Sequence, residues 1–291
     1  MNGLDKKLTE FCGKMVKNTR RVKVEPFQLL SDSSILWIDE WMEQSNDLVV
    51  GFTTRNNGVS KQPFDSLNLG FHVPDDYEDV LHNRKLLSNK LNLPLENWVM
   101  GEQVHGANVV IVDQADSGKG SKTQLDAIKD IDGMLTKQKG ILCAALFADC
   151  VPIYFFAPAT GWIGIAHAGW RGTVNRIAEQ MIYTLTENGV DIHDIRVAIG
   201  PSISKEAYEV DAHVIEHIPE QYREKVCERK GNGRFQLDLR QLNKEIILNV
   251  GVLVENVIVT DYCTYNDHLL FSHRRDDGKT GRMLGFIGHR K

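Results

Sequence analysis

The chain has 291 residues, of which 42% are hydrophobic and 25% charged, and its formal net charge is −5. This length allows one large domain or two small ones with a substantial core. The acidic balance argues against a protein that binds nucleic acid through its phosphate backbone. No apolar run is long enough to span a bilayer, because Asp149 and Pro152 interrupt the longest one.

Residues 1–21 are basic and lack the apolar core of a signal peptide. We therefore expect them to form a loosely attached extension, followed by a single domain over residues 22–291. The cysteine count is odd and shows no paired spacing, which argues against a disulfide framework. The pattern predicts a protein of the reducing cytoplasm, in which the thiols are buried side chains, ligands or nucleophiles.

Alternating and β-branched segments in the first half of the chain predict a series of strands. They lie at residues 22–30, 34–38, 48–54, 98–100 and 108–113. A helix is expected over residues 78–91, because Asp75 and Asp76 suit its N-terminus. Residues 114–130 are polar, and we expect them to form an exposed excursion.

Residues 141–173 are the most informative stretch of the chain. They predict one long apolar strand, a turn at residues 158–161, a second apolar strand and a glycine-rich turn that opens a helix. If the two strands pair through that turn, Cys150 and His167 come close in space. A thiolate and an imidazole on adjacent strands can begin a transition-metal site.

The second half of the chain alternates helices and strands. Thr173 or Asn175 is expected to cap a helix that reaches residue 188, where Gly189 ends it. Further helices are predicted at residues 211–217 and 241–250, and strands at residues 195–199, 235–239 and 256–260. The alternation predicts a mixed α/β or α+β fold, formed as a single domain with large sheets.

His105 lies in a turn flanked by Val104 and Gly106, where a side chain can point into a cleft. Together, His105, Cys150 and His167 would be three ligands suited to zinc, with a coordination position left open for water or substrate. Taken alone, each of these residues is more often a core or hydrogen-bonded residue than a metal ligand. A second interpretation makes Cys150 a nucleophile with a histidine base, and the pattern does not separate the two.

Several charged side chains are candidates for anion binding or proton transfer. Arg171 lies in AGWRGT (residues 168–173), at the start of the predicted helix, where it could contact an anion or pair with Asp149. Other candidate substrate or phosphate contacts are Arg55, His72, Arg274 and Arg275. Glu102 and Asp149 are candidate general acids or bases, although a glutamate such as Glu102 on a surface loop is more often inert.

Seven motifs give the chain a resemblance to a known family. They are TTR (53–55), SLNLGFHVPDD (66–76), QVHG (103–106), ADCV (148–151), HAGWRG (167–172), GP (200–201) and RRDDGKTG (274–281). Together they resemble the YlmD/YfiH-type laccase-domain family, first described as multicopper polyphenol oxidases and later as purine nucleoside phosphorylases. The resemblance extends over about residues 48–287; its one visible departure is Asn56-Asn57-Gly58, where the family more often has a Gly-Gly pair.

The resemblance implies a laccase-like catalytic domain folded as an α/β/β/α sandwich with mixed β-sheets. It implies zinc held by His105, Cys150 and His167. It also implies phosphorolysis of adenosine, inosine and S-methyl-5'-thioadenosine to the free base and a sugar 1-phosphate, together with adenosine deamination. The expected partners are nucleosides and phosphate, with neither nucleic acid nor membrane; a monomer and a dimer both stay open.

The older laccase description can be compared with the histidine pattern. A multicopper oxidase needs many paired histidines, whereas the ten histidines of this chain include no His-x-His pair. Cu²⁺ could still occupy a His₂Cys site in place of zinc, because it binds most such ligands more tightly. Polyphenol oxidation by a copper-loaded protein is therefore an alternative activity, as is hydrolysis or deamidation by a metal-free Cys–His pair.

Overall fold

The computed structural model describes residues 25–291, so the extension expected at residues 1–21 and the beginning of the first predicted strand lie outside the described residues. The strands are β1 (Gln28–Leu29), β2 (Ile35–Trp37), β3 (Leu48–Thr53), β4 (Trp98–Met100), β5 (Val109–Ile111), β6 (Gly133–Thr136), β7 (Ile141–Phe147), β8 (Val151–Ala157), β9 (Trp162–Ala168), β10 (Arg196–Ile199), β11 (Glu209–Asp211), β12 (Cys227–Gly231), β13 (Arg234–Leu237), β14 (Val257–Val259) and β15 (Met283–His289). The helices are α1 (Asp39–Met42), α2 (Tyr77–Leu91), α3 (Trp170–Val174), α4 (Ile177–Glu187), α5 (Ala212–Glu216), α6 (Glu220–Val226) and α7 (Leu239–Val250).

The strands form two large sheets and one small one. The first sheet has the order β1-β2-β3-β15-β7-β4 and the second β14-β10-β8-β9-β6-β5. Each is mixed, since β4 runs parallel to β7 in the first sheet while β5–β6 and β10–β14 are parallel pairs in the second. The small antiparallel sheet has the order β11-β13-β12, of which only part of β13 was expected from the sequence.

Three groups of buried side chains hold these layers together. One lies between the two large sheets and includes Phe52, Phe147 and Tyr154. Another covers the outer face of the second sheet with α4 and α7, and a third covers the outer face of the first sheet with α2. The result is a single mixed α/β domain in an α/β/β/α arrangement, as the family resemblance implied. Within residues 25–291, none of the helices combines the length and apolar character needed to cross a bilayer.

Helix α2 forms as predicted from local sequence. The Asp76 side chain accepts hydrogen bonds from the backbone N–H groups of Glu78 and Asp79, which otherwise have no partner at a helix start. Asn57 adopts a positive φ of 67°, which asparagine tolerates better than most residues. The Asn-Asn-Gly sequence therefore makes a left-handed turn without a second glycine.

The long strand predicted at the start of residues 141–173 is wrong in one respect. It is two strands, β7 and β8, which belong to different sheets. They are separated at residues 148–150, where Asp149 has a φ of 86° and so turns the chain from the first sheet to the second. The predicted hairpin is confirmed, because β8 pairs antiparallel with β9 and places Pro152 opposite His167.

The helix expected to reach residue 188 forms as α4, which ends at Glu187, but neither expected residue caps it and it does not continue from α3. The chain forms α3 and α4, separated at Arg176, whose φ of 65° cannot continue a helix. Neither Thr173 nor Asn175 caps a start, since α3 begins after Gly169. Gly189 follows the end of α4 with a φ of 84°, as the sequence predicted.

Candidate active site

Two connections between the large sheets converge at one end of the sandwich. The chain passes from the first sheet to the second between β4 and β5, and again between β7 and β8. His105 lies in the former connection and Cys150 in the latter, while His167 lies near the end of β9. The convergence of these segments brings together three side chains that lie far apart in the sequence.

The three side chains form a compact cluster of metal-ligating atoms. One ligand atom from each of His105, Cys150 and His167 lies within 4.8 Å of the other two. The two imidazole rings meet edge to face, with their centroids 4.8 Å apart. His105 is exposed, Cys150 half-buried and His167 buried, so the cluster is open on the His105 side.

Asp132 orients this cluster through both of its carboxylate oxygens. Oδ1 lies 2.8 Å from His167 Nδ1, and this hydrogen bond leaves Nε2 of His167 available for a metal. The same carboxylate accepts backbone N–H groups from Val104, His105 and Gly106 at 2.7–3.1 Å. One buried carboxylate therefore fixes both the ring of His167 and the turn that carries His105, whose φ is 62°.

The charges of the cluster shift the pKa values of its members in opposite directions. Burial raises the pKa of the Cys150 thiol, but His167 and His105 lower it more strongly, to about 6. Burial lowers the pKa of His167, whereas Cys150 and Asp132 raise it, to about 9. Burial also raises the pKa of Asp132, but its hydrogen bonds with His167 and the backbone bring it below its ordinary value. Without a metal, the cluster therefore pairs a Cys150 thiolate with a protonated His167, and a metal ion that binds there would displace the proton from His167.

The donor set fits a first-row transition metal. Bonds of about 2.0–2.3 Å to nitrogen and sulfur place tetrahedral ligand atoms roughly 3.5 Å apart, which this cluster reaches with small side-chain movements. The sulfur, the two imidazoles and the carboxylate behind His167 match the donors that zinc prefers. In the part of the chain that the structure describes, this is the one cluster of at least three such residues. A set of several copper sites is therefore not formed by residues 25–291.

Gly169 packs directly against the cluster, which gives a first testable prediction. A Cβ atom at this position would lie 2.8 Å from His105 Cδ2 and 3.1 Å from Cys150 Sγ. We expect Gly169→Ala to displace His105 and weaken metal binding by roughly 10-fold or more, measured by competition with a chromophoric chelator. Gly106→Ala is the matched control, because its new Cβ would meet only ordinary contacts at 3.4 Å and beyond. Equal metal affinities of the two variants would contradict this account.

The cluster opens into a cavity of about 550 Å³. This volume lies within the roughly 300–1,000 Å³ that is typical of small-molecule sites. Its wall is partly aromatic and partly cationic. The side chains of the wall that bear on ligand binding are Phe71, His72, Arg84, Asp149, Trp170, Arg171, Tyr208, Arg274 and Arg282.

Two groups of cationic residues reach the cavity. The first consists of Arg171 and Arg274, which lie over the rings of Trp170 and Tyr208 at 4.5 and 5.3 Å. The second consists of Arg84 and Arg282, with the imidazole of His72 beside them, and Arg84 lies 4.2 Å from the centroid of Phe71. Both arginines of the first group are exposed, whereas Arg84 is only 1% exposed.

Three residues that were candidates from the sequence do not line the cavity. Arg55 donates to the backbone and carboxylate of Asp65 and lies 4.6 Å above Phe271. The Arg275 guanidinium bonds Asp276 and the backbone carbonyls of a neighbouring loop. Glu102 forms an ion pair with Lys129 at 3.4 Å. The structure therefore does not bring these three side chains to the cluster of His105, Cys150 and His167.

Asp149 lines the cavity, but its carboxylate has partners within the protein. Oδ1 accepts from the Thr264 hydroxyl at 2.6 Å, and Oδ2 accepts from the Arg274 backbone N–H at 2.7 Å. These bonds tie the β7–β8 turn to two other loops and stabilise its positive φ. Asp149 thereby supports Cys150 in its position next to His167. Arg171, by contrast, is not paired with Asp149.

Sequence patterns did not identify four residues that matter at this site. Asp132 had a weak signal, since it is a lone carboxylate before the buried strand β6. Arg282 follows directly after the RRDDGKTG motif (residues 274–281). Arg84 and Tyr208 had no local signal, because α2 is long and polar and residue 208 lies between short elements. The polar excursion at residues 114–130 is not wholly exposed either, since Gly120 and Ser121 are buried against Arg84.

Comparison with known proteins identifies the family to which a chain with this site belongs. Residues 49–290 match the family described as multi-copper polyphenol oxidoreductase laccase. The purine nucleoside phosphorylase YlmD of Bacillus subtilis is 41% identical over 270 residues, which are 90% of this chain and 97% of the relative. The purine nucleoside phosphorylase YlmD of Geobacillus stearothermophilus is 45% identical over 253 residues, covering 84% of this chain and 90% of the relative.

Solved structures show the same fold. YfiH, a hypothetical protein of Bacillus licheniformis, has a TM-score of 0.88 and 39% identity, covering 92% of this chain and 100% of that one. YlmD from Geobacillus stearothermophilus has a TM-score of 0.86 and 41% identity, with the same coverage. The resemblance inferred from seven short motifs is confirmed over nearly the whole described chain.

Proposed function

The chain belongs to the multi-copper polyphenol oxidoreductase laccase family, and on that premise we propose that it is a zinc-dependent purine nucleoside phosphorylase. The observation that carries the proposal is the His105–Cys150–His167 cluster, which opens into a cavity bordered by guanidinium groups. A metal with an open coordination position, next to groups that attract phosphate, suits a reaction between a neutral nucleoside and an anion. The relatives that carry the name purine nucleoside phosphorylase support the same activity.

We propose adenosine, inosine and S-methyl-5'-thioadenosine as substrates. The apolar part of the cavity wall suits a purine, which is flat and weakly polar. The hydroxyl of Tyr208 has no hydrogen-bond partner among the described residues. Burial raises its pKa, so that it stays protonated and can donate to a purine nitrogen or ribose oxygen.

The protein residues have defined tasks in phosphorolysis. Bound zinc would supply a Lewis acid that stabilises negative charge. Asp132 holds His167 with Nε2 towards the cavity, and Asp149 holds the turn that carries Cys150. Trp170 lines the cavity and holds the Arg171 guanidinium 4.5 Å above its ring, so that an apolar surface and a positive charge lie side by side.

One incubation tests the proposed activity. Purified protein of known zinc content is mixed with inosine, with and without inorganic phosphate, and hypoxanthine is quantified by chromatography. We expect hypoxanthine and ribose 1-phosphate to appear together, and only when phosphate is present. Hypoxanthine release at the same rate without phosphate would indicate a hydrolase. If no free base forms from inosine, nor from adenosine or S-methyl-5'-thioadenosine incubated in the same way, the proposal is contradicted.

Adenosine deamination is a second proposed activity of the same site. Attack of water on C6 of adenine requires a general acid or base, for which Glu102 and Asp149 were the candidates. Of the two, only Asp149 lines the cavity, and both of its oxygens accept hydrogen bonds in the structure. We expect Asp149→Asn to reduce inosine formation from adenosine more than phosphorolysis of inosine, measured on protein with full zinc content.

A metal-free hydrolase is the competing function, and one observation favours it. Cys150, His167 and Asp132 are arranged as a nucleophile, a base and the carboxylate that orients the base. The two functions differ in their response to iodoacetamide. A zinc phosphorylase is protected while zinc is bound, and chelation alone removes its activity before any alkylation of Cys150. A thiol hydrolase is active when no zinc is present and loses that activity on alkylation.

A further inference from the structure

Arg84 is a buried charge that the described part of the protein does not neutralise. Its guanidinium donates to the backbone carbonyls of Leu69, Gly120 and Ser121 at 2.7–2.9 Å. Within residues 25–291 no carboxylate forms an ion pair with it. The carbonyls satisfy its hydrogen bonds but leave its positive charge in place, and buried charges are normally paired.

Arg282 is a second cavity-lining arginine whose guanidinium forms no ion pair within residues 25–291. Its Nη1 donates to the carbonyls of Thr280 and Gly281 at 2.9 and 3.0 Å, and its backbone N–H is held by Asn68. Its aliphatic stem packs on Gly70, where a Cβ atom would lie 2.8 Å from Arg282 Cγ. Nε and Nη2 are not used in these bonds and belong to a side chain that lines the cavity.

His72 joins these two residues. A Cβ atom on Gly70 would also lie 3.2 Å from His72 Cε1, so the imidazole and the Arg282 stem share one contact surface. All three side chains line the cavity into which Cys150 and His167 open. His72 is exposed at the cavity mouth, and partial desolvation there, together with the charges of Arg282 and Arg84, lowers its pKa to about 4. Its neutral imidazole therefore offers a hydrogen bond without adding a third positive charge.

We propose that His72, Arg84 and Arg282 form the binding site for a phosphate oxyanion, next to the three candidate metal ligands His105, Cys150 and His167. The inference rests on the proposed function, because it assigns the place of inorganic phosphate in that reaction. Arg84 supplies a fixed buried charge, Arg282 supplies free N–H donors, and His72 supplies one neutral polar contact. The bound phosphate then neutralises the unpaired positive charges of Arg84 and Arg282.

We favour these three residues as the phosphate site over Arg171, which the sequence had indicated as an anion contact. Arg171 is exposed, and its charge is screened by water. The attraction between two charges is about fourfold stronger at an effective dielectric constant of ~20, typical of protein sites, than at the ~80 of water. Arg84 and Arg282 therefore hold a dianion more strongly than one exposed guanidinium does.

Phosphate held at this wall can react without a further reagent. One oxygen of the hydrogen phosphate dianion forms a bond to C1′ of the nucleoside while the C1′–N9 bond breaks. The electron pair of that bond leaves with the purine, and the proton of the phosphate ends on the purine. The products are the free base and the sugar 1-phosphate.

The test compares Arg282→Ala, Arg282→Lys and Lys85→Ala, each with its zinc content measured. Arg282→Ala should raise the KM for phosphate by roughly 10- to 100-fold with little change in the KM for inosine. Arg282→Lys retains the charge and should recover part of this loss. Lys85→Ala removes one charge from the exposed face of α2, next to Arg84, and should leave both constants unchanged.

Direct binding separates a failure of this inference from a failure of the proposed function. Inorganic phosphate is titrated calorimetrically into wild-type and Arg282→Ala zinc protein, and adenosine 5′-monophosphate is titrated in a second arm. Binding of inorganic phosphate that is lost in Arg282→Ala supports the site even if no nucleoside is cleaved. Unchanged phosphate binding in Arg282→Ala, a larger effect of Arg171→Ala on the KM for phosphate, or binding of the nucleotide alone would overturn it.

Discussion

Replacing His105, Cys150 or His167 with alanine will remove zinc and phosphorolysis together, with each variant retaining less than about a tenth of a metal equivalent. Three protein ligands are the minimum for a catalytic zinc site, and loss of one leaves two donors and additional water. The effect should be similar for exposed His105 and buried His167, because both supply one of the three bonds. Elemental analysis of purified protein measures the metal, and the phosphate-dependent release of hypoxanthine measures the activity.

Control variants distinguish loss of a ligand from loss of the fold. Cys227→Ala removes a half-buried thiol from β12, and His193→Ala removes an exposed imidazole from a short 3₁₀ helix. Neither residue lines the cavity, and both variants should keep one zinc and full activity. A Cys150→Ala protein that retains a full metal equivalent would show that Cys150 is not a ligand.

Asp132→Asn should weaken zinc binding by roughly 10- to 100-fold although Asp132 is not itself a ligand. The carboxylate accepts from His167 Nδ1 and from three backbone N–H groups, whereas an amide has one acceptor oxygen and directs its NH₂ group at donors. His167 then loses its fixed ring orientation, and the turn that carries His105 loosens. We expect the free energy of unfolding to fall by about 1–3 kcal/mol, since a buried donor is left without an acceptor.

The measurement for Asp132→Asn is zinc affinity by chelator competition, together with thermal unfolding of the zinc-free and zinc-bound forms. Asp113→Asn is the comparison, because Asp113 caps a short exposed 3₁₀ helix and does not line the cavity. It should leave zinc affinity unchanged. If Asp132→Asn is destabilised but binds zinc as tightly as the wild type, the carboxylate supports the fold and does not orient the ligands.

The sequence identified the elements whose signals are local. Helix α2 forms where Asp76 caps it, and the β8–β9 hairpin forms around its predicted turn. These predictions succeed because capping and alternating apolar side chains act over a few residues. The prediction of one long strand was wrong because its two halves are equally apolar. Nothing in the local sequence shows that they enter different sheets. The helix predicted to reach residue 188 begins only at Ile177, because Arg176 before it adopts a left-handed conformation.

By itself, the sequence determined the family, the mixed α/β class and the three residue types that can hold a metal, since these follow from motifs, periodicity and side-chain chemistry. The tertiary structure alone decided which distant residues serve that cluster. Asp132 and Arg282 became part of the site only when crossings between the sheets and the closing strand β15 brought them to the cavity. Arg55 and Arg275 were excluded from it in the same way. The physical reason is that a site of this kind depends on distances and burial across the fold, which residues far apart in sequence acquire only on packing.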